Sequence, residues 1–428
     1  MLFLLGTGTG LFTVFVGWKA QGAVSTKRDP YHFEAMAASV LRGEGFRGHG
    51  IVLRRRGPLY PLFIAGIYSV AGRRPIAVQA AQCLLLGGIC VLAWDMGRRL
   101  FNSRAGLLAG VLCAFNVVLL RYVPDMHLEV LLAFLVTLSI WLSIRLRERP
   151  APARGIAFGA ACGLAALTKA VILLYPIVFA VWWLLRLRGR PLKASSPDSR
   201  HGATVHPLRA VAAALASMAL VILPWTVRNY LVTGGRIVPI TTGLSDAFLR
   251  GYVFSKTEYA LLRRPPYTDA ENESNAWFRR LGRESGFVWE RDDLETDQYL
   301  NRAAIRQLVQ DPGGLVRKSL VGLATFWYQL TSLTNSLIAG GLAAVAWALA
   351  LVGWRRSRRE RRATWPLWLP ILYLNILLAL LLALGRYSVP VLPALWTLAA
   401  FGLDTLLPRA AAQPGDDRAL AETAAHAA

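Results

Sequence analysis

One carboxylate and a run of cations mark the first long polar stretch of the chain, Lys27 to Pro61: Asp29 lies near its start, and Arg54, Arg55 and Arg56 near its end. A carboxylate can take the proton of an attacking hydroxyl, and guanidiniums hold phosphate oxygens through charge-assisted hydrogen bonds. Together these residue types suit chemistry on a hydroxyl beside an anionic group. Farther along, Asp125, His127 and Glu129 gather within five residues, Lys169 stands between two apolar runs, and Arg386-Tyr387 stands between two others. Asp29, His32, Asp125, His127 and Glu129 could also offer hard ligands to a divalent cation, although no local spacing demands one.

The elements that must position these residues are membrane helices. Of 428 residues, 55% are hydrophobic and 17% charged, too apolar a balance for an ordinary soluble domain. The formal charge of +23 sits mostly in short basic clusters between apolar runs, the pattern of loops retained on the cytoplasmic face, and nucleic acid is excluded as a partner on that ground. All four cysteines, Cys83, Cys90, Cys113 and Cys162, fall inside apolar runs and read as packing residues. Residues 1–18 resemble a signal sequence but have neither a basic start nor a small-residue cleavage site, so they read as an uncleaved first helix.

A crossing helix needs about 20 apolar residues, and about ten segments qualify: roughly 1–18, 75–97, 105–122, 128–146, 155–169, 171–187, 208–227, 335–354, 364–384 and 388–408. Four basic clusters can then share the cytoplasmic side: Arg98/Arg99/Arg104, Arg145/Arg147/Arg149/Arg154, Arg186/Arg188/Arg190/Lys193, and the run 354–362. Both chain ends fall on that side and the Asp29 loop on the other. The apolar stretch Gly155–Leu187 is flanked by arginines at both ends, so it reads as a hairpin turning near Thr168-Lys169, with the Lys169 ammonium at the outer surface. Snorkelling to headgroups would place a lysine there too.

Pro58–Gly72 and Leu315–Leu333 do not fit as crossings and are expected to lie in the outer interface or against the bundle. Arg228–Gly314, with 12 basic and 12 acidic residues, is expected to form a small α or α/β lid. The first outer loop breaks the positive-inside rule, with eight Lys/Arg against three Asp/Glu between Lys19 and Gly57. A lipid-linked phosphate would select for such charges, and so would anionic headgroups. Gly106/Gly110 and Gly159/Gly163 have the spacing of close helix packing. No Walker-type loop, HExxH or GxSxG occurs.

Several elements together resemble the GT-C membrane glycosyltransferases, in particular glycosyltransferase family 39 and its bacterial relatives, the protein O-mannosyltransferases and lipid A aminoarabinose transferases. Asp29 with Ala37, Gly43 and the following RGPLYP resembles the family's first outer loop. Leu128-Glu129-Val130 is similar to its Ser-Glu-Pro helix start, and Gly163-Leu-Ala-Ala-Leu-Thr-Lys169 to its hairpin. Leu223-Pro-Trp-Thr-Val-Arg-Asn-Tyr230 resembles its PWxxRNY element, and Arg386-Tyr-Ser-Val-Pro390 its RYxxP. Here Asp29-Pro30 replaces the frequent Asp-Glu, and Arg56-Gly57-Pro58-Leu59 replaces basic-Pro-Pro-Leu.

The resemblance implies an all-α GT-C-type bundle that transfers a sugar from a polyprenyl-phosphate donor to a lipid, glycan or protein acceptor at the extracytoplasmic face of the cell membrane, with no cofactor required. It implies Asp29 as catalytic carboxylate with Glu129 as supporting acid. Arg56 and Lys169 would bind the donor phosphate, and Arg386 and Tyr387 would lie near the donor headgroup, with Arg55, Asp125 and His127 as further support. Domains are expected at 1–227 (transmembrane, with the outer loop 19–74), 228–314 (extracytoplasmic), 315–408 (interfacial helix and last crossings) and 409–428 (disordered cytoplasmic tail). A flippase of lipid-linked saccharides would use the same basic cavity without bond cleavage, but would more often show paired repeats with helices broken at midplane.

Overall fold

The computed structural model describes residues 1–21, 32–48, 51–52, 56–187, 207–236, 238, 240–265, 268–286 and 294–408. Asp29, Arg55, Arg188, Arg190, Lys193 and the 409–428 tail lie outside the described residues.

Apolar runs of bilayer length become helices because in hydrocarbon the backbone must satisfy its own hydrogen bonds. The chain opens with α1 (Leu2–Gln21), followed by two outer-loop helices, α2 (Phe33–Leu41) and α3 (Leu59–Ala71), with a short antiparallel pair between them, β1 (Arg47–Gly48) and β2 (Ile51–Val52). Next come α4 (Pro75–Leu100), α5 (Ser103–Ala114), α6 (Val117–Leu120), α7 (Glu129–Glu148), α8 (Pro152–Thr168), a 3-10 turn at Ala170–Ile172, α9 (Tyr175–Leu187) and α10 (Pro207–Val232). The outer segment is helical: α11 (Leu244–Phe254), α12 (Thr257–Ala260), α13 (Thr268–Ser285) and α14 (Leu294–Gln310). The last part holds α15 (Pro312–Tyr328), α16 (Leu333–Arg359), α17 (Trp365–Leu380), a 3-10 turn at Gly385–Val391 and α18 (Leu392–Leu406).

Among the described residues, seven spans are long and apolar enough to cross a membrane: α1, α4, α5 with α6, α7, α10, α16, and the last 3-10 turn with α18. They correspond to seven of the expected crossings. The other three expected segments fall on the shorter helices α8, α9 and α17. Local signals explain several starts. Asn102 Oδ1 accepts from Ala105 N at 2.7 Å and opens α5, while Asp311 Oδ1 accepts from Gly314 N at 2.7 Å and opens α15.

Small residues let the helices approach. A side chain on Gly155 or Gly159 of α8 would overlap the Ala210 and Ala214 carbonyls of α10, and one on Gly106 of α5 would meet the backbone of α4 at 2.6 Å. The GxxxG pairs are thus packing seams, as their spacing predicts. All four cysteines are free and buried, also as expected.

The basic clusters converge at one end of the bundle. Arg99 pairs with Glu148 at 3.2 Å, Arg104 and Arg356 both face Asp404, and Arg362 donates to the carbonyls of Leu100 and Phe101 at 3.2 and 2.6 Å. These contacts join the ends of α4, α5, α7, α16 and α18 with the residues that lead into α17. At the opposite end α15 packs against α17, where a side chain on Gly322 would meet Ala379 Cα at 2.8 Å. The outer helices build small cores, one of which draws on Leu382 and Leu384 after α17.

Beneath the outer segment, Lys318 of α15 is 2% exposed and faces no acid. Its Nζ donates to the Phe248 carbonyl at 3.1 Å and lies 3.6 Å from the Phe248 ring centroid. These contacts return only part of the hydration that burial removes, so the ammonium is pushed down to about 7. In the unfolded chain it keeps a value near 10.4. Between these limits the unfolded state binds the extra proton, so this lysine costs least at high pH. Lys318→Met is therefore expected to raise the thermal unfolding midpoint at pH 7, with the gain shrinking toward pH 10. Intrinsic-fluorescence melts at the two pH values read this, and an equal gain at both would contradict it.

Candidate active site

At the end of the bundle opposite the basic clusters, six separate parts of the chain enclose a cavity of about 130 Å³. Phe33 comes from α2, Arg56 and Gly57 from the approach to α3, and Leu128 and Glu129 from the start of α7. The turn after α8 supplies Lys169, Thr241 arrives from the segment after α10, and Arg386 and Tyr387 from the last 3-10 turn. The volume is about that of four waters, each taking about 30 Å³.

Each functional side chain is fixed by local structure. Lys169 is the residue at which α8 stops, held by its own N–H donating to Ala165 O at 2.9 Å. Its Nζ lies 3.4 Å from the Tyr387 ring centroid, a cation on an aromatic face. Arg386 donates from Nη2 to Tyr387 Oη at 2.9 Å. Glu129 is the first residue of α7, where the helix dipole favours a carboxylate, and it is buried. Its Oε2 has no hydrogen-bond partner among the described residues. No carboxylate lies within ion-pair distance of Lys169 among the described residues. Among the described residues the cavity lining carries Arg56, Lys169 and Arg386 with one acidic side chain, Glu129, a balance that suits an anion.

Arg56 reaches this place because Gly57 has no side chain. A Cβ there would overlap the Leu167 carbonyl and approach the Thr168 carbonyl to 2.7 Å, so the chain entering α3 is pressed onto the C-terminal end of α8. On the far side, Tyr60 donates to Gln82 Oε1 at 3.0 Å, and Gln82 Nε2 donates to the carbonyls of Val123 and Asp125 at 2.8 and 3.0 Å. Gln79 Nε2 adds a bond to Pro124 O at 2.6 Å. These two buried glutamines of α4 hold the loop that leads into Glu129. Trp225 and Asn229 of α10 donate to the Ile240 carbonyl at 2.7 and 3.0 Å and so hold the segment that brings in Thr241.

Of the residues singled out in the sequence, Arg56, Glu129, Lys169, Arg386 and Tyr387 meet around one cavity. Asp125 and His127 do not line it; His127 Nδ1 lies 3.9 Å from Asp125 Oδ2. Asp29 and Arg55 fall outside the described residues. Among those described, no group of three His, Cys, Asp or Glu side chains is placed to hold a metal ion. Phe33, Gly57, Thr241, Gln79 and Gln82 were not anticipated. Only the glutamines left a signal, as amides three apart in an otherwise apolar helix.

An apolar crevice adjoins the cavity. It shares Glu129, Lys169, Arg386 and Tyr387 and continues between Leu132 of α7 and Leu374 and Leu378 of α17. The polar site is thus continuous with the flank of two helices in the bundle.

Over residues 55–205 the chain matches the dolichyl-phosphate-mannose-protein mannosyltransferase family. Comparison with curated protein sequences yields no match. Among solved structures, the chain is similar to the Archaeoglobus fulgidus oligosaccharyltransferase tethered with an acceptor peptide, with a TM-score of 0.53, 15% identity, and coverage of 94% of this chain and 50% of that one. It is also similar to the A. fulgidus oligosaccharyltransferase AglB in complex with an inhibitory peptide and a dolichol-phosphate, at a TM-score of 0.51, 14% identity, and 94% and 50% coverage. ArnT from Cupriavidus metallidurans bound to undecaprenyl phosphate matches with a TM-score of 0.40, 16% identity, and 94% and 77% coverage. The chain spans about half the length of the oligosaccharyltransferase chains. Arg56, Glu129 and Lys169 fall inside the matched residues 55–205, and the fold is that of the GT-C membrane glycosyltransferases.

Proposed function

We propose that this chain is an integral-membrane glycosyltransferase that moves a hexosyl or pentosyl group from a polyprenyl-phosphate donor to a hydroxyl acceptor at the extracytoplasmic face. The observation that carries the reading is the convergence of Arg56, Lys169 and Arg386 on a cavity with one carboxylate, continuous with an apolar crevice. A phosphate would sit among the cations and a prenyl chain along the crevice. The family match over 55–205 and the dolichol-phosphate bound in one A. fulgidus structure support the same donor class.

In this reading the acceptor oxygen forms a bond to the anomeric carbon while the bond from that carbon to the phosphate oxygen breaks. The leaving phosphate keeps the electron pair, and Lys169, Arg56 and Arg386 stabilise the charge that develops on it. The proton of the acceptor hydroxyl passes to a carboxylate, a role we assign to Asp29. Glu129 acts as a positioning residue, its buried charge holding the Lys169 ammonium toward the cavity. The arginine clusters at the opposite end support an extracytoplasmic site through the positive-inside rule.

Purified protein in lipid, given radiolabelled polyprenyl-phosphate sugars, is expected to release sugar from one donor class. Lys169→Ala and Asp29→Asn are each expected to slow release by about 100-fold or more, with donor binding kept in Asp29→Asn. Undiminished release from both variants, or passage of intact donor between leaflets without release, would sink this assignment.

The close approach at Gly57 yields a second expectation. A methyl group there must push Arg56 away from Lys169, so Gly57→Ala should weaken polyprenyl-phosphate binding by about tenfold. Gly66→Ala in α3, where a side chain meets open space, should leave it unchanged. Quenching of tryptophan fluorescence on titration with the lipid phosphate measures both, and equal affinities in the two variants would refute the role given to Gly57.

A further inference from the structure

A second cavity lies away from the candidate active site. It has a volume of about 470 Å³ and opens at the other end of the bundle, among the basic clusters. The two cavities share no lining residue. Its walls come from the last turns of α9 and α16 and the first turns of α17. Arg186, Arg358 and Arg362 are among its lining residues, which include no acid, and four tryptophans complete most of the rest.

The partners of these arginines differ. Arg362 is already engaged, with the Leu100 and Phe101 carbonyls and with Glu360. Arg186 and Arg358 contact only indole faces, at 5.0 Å over Trp182 and 5.3 Å over Trp354, and no carboxylate lies within ion-pair distance of either among the described residues. Trp368 adds an independent observation: it lines the cavity, and its buried indole N–H has no hydrogen-bond partner among the described residues. With two guanidiniums that meet no carboxylate among the described residues, a third fixed at its wall and this indole donor in its lining, the cavity suits an anion that accepts hydrogen bonds. The volume falls within the range of about 300–1,000 Å³ usual for small-molecule sites.

We propose that this cavity binds the headgroup of an anionic phospholipid from the inner leaflet. Charge complementarity selects an anion, because the described lining carries three arginines and no acid. The tryptophans select a lipid over a free ion. Indoles settle at the interface between headgroups and acyl chains, with the ring in the apolar layer and the N–H in the polar one. The positive-inside rule assigns this end to the cytoplasm, where anionic lipids meet basic pockets between helices. The Trp365 ring lies 5.4 Å from Phe179 of α9, tilted by 34°, so a headgroup seated here would bridge α9, α16 and α17. The inference does not rest on the donor reading of the outer cavity.

The test is retention of phosphatidylglycerol by the purified full chain in detergent, counted by native mass spectrometry during a lipid titration, with phosphatidylcholine and inorganic phosphate as comparison arms. One phosphatidylglycerol is expected to be retained in preference to phosphatidylcholine and to resist displacement by inorganic phosphate. Retention should fall by about tenfold or more in Arg186→Gln/Arg358→Gln, and should hold in Arg355→Gln/Arg359→Gln, which removes equal charge from the same helix end without touching the cavity. Trp368→Phe, which removes the indole N–H together with the five-membered ring, should weaken retention. Equal retention of phosphatidylcholine, displacement by free phosphate, or equal loss in the two arginine pairs would each overturn the assignment.

Discussion

Charged groups held away from water need compensation, and at the outer cavity three cations meet one carboxylate. Much of the surrounding architecture follows from keeping them there. Lys169 sits where α8 ends, at the tip of a hairpin, so its ammonium need not cross hydrocarbon. The Tyr387 ring lies beneath it at 3.4 Å, giving a polarisable surface without neutralising the charge. Glu129 occupies the first position of α7, where the helix dipole supports its negative charge. Among the described lining residues the cations outnumber the acids, and that excess is what an anionic ligand would answer.

Positioning falls to contacts between backbones and amides rather than to the charged groups themselves. Helix α8 is pressed to α10 through Gly155 and Gly159, and the chain before α3 is pressed to α8 through Gly57. The hairpin tip therefore meets neighbours on two sides, and Arg56 has little freedom to leave Lys169. The amides of Gln79 and Gln82 in α4 fix the loop before α7 by three hydrogen bonds to carbonyls. Polar side chains in an apolar helix are costly unless satisfied, and here they are spent on a loop that must arrive at a defined height.

Much of this was legible from the chain alone, for identifiable reasons. Apolar length marks helices because the bilayer imposes it, and arginine runs orient them because charge does not cross readily. Lys169 and Arg386 stood out because each interrupts apolar sequence. The arginine clusters converge at one end, as the orientation rule requires. What was not legible depends on tertiary contact. Phe33 and Thr241 carry no sign of their place in a cavity wall, since only the approach of α2 and of the segment held by Trp225 and Asn229 brings them there. Gly57 read as a departure from a family pattern, whereas its meaning lies in the carbonyls of α8. Asp125 and His127 shared a short acidic stretch with Glu129, yet the helix start turns only Glu129 into the cavity lining.

The two ends of the molecule use the same residue types to opposite effect. At the basic end, Asp95, Glu148, Glu360 and Asp404 tie down the arginines around them, and the charges close helix ends upon one another. At the outer end the cations outnumber the acids and face open space. Helix α17 runs between the two. Trp365 and Trp368 line the inner cavity, Leu374 and Leu378 border the crevice beside Lys169, and Tyr373 between them donates to the Val171 carbonyl at 2.6 Å, two residues past that lysine. The packing of one helix thus joins the geometry of the outer crevice to the aromatic and guanidinium groups at the inner surface.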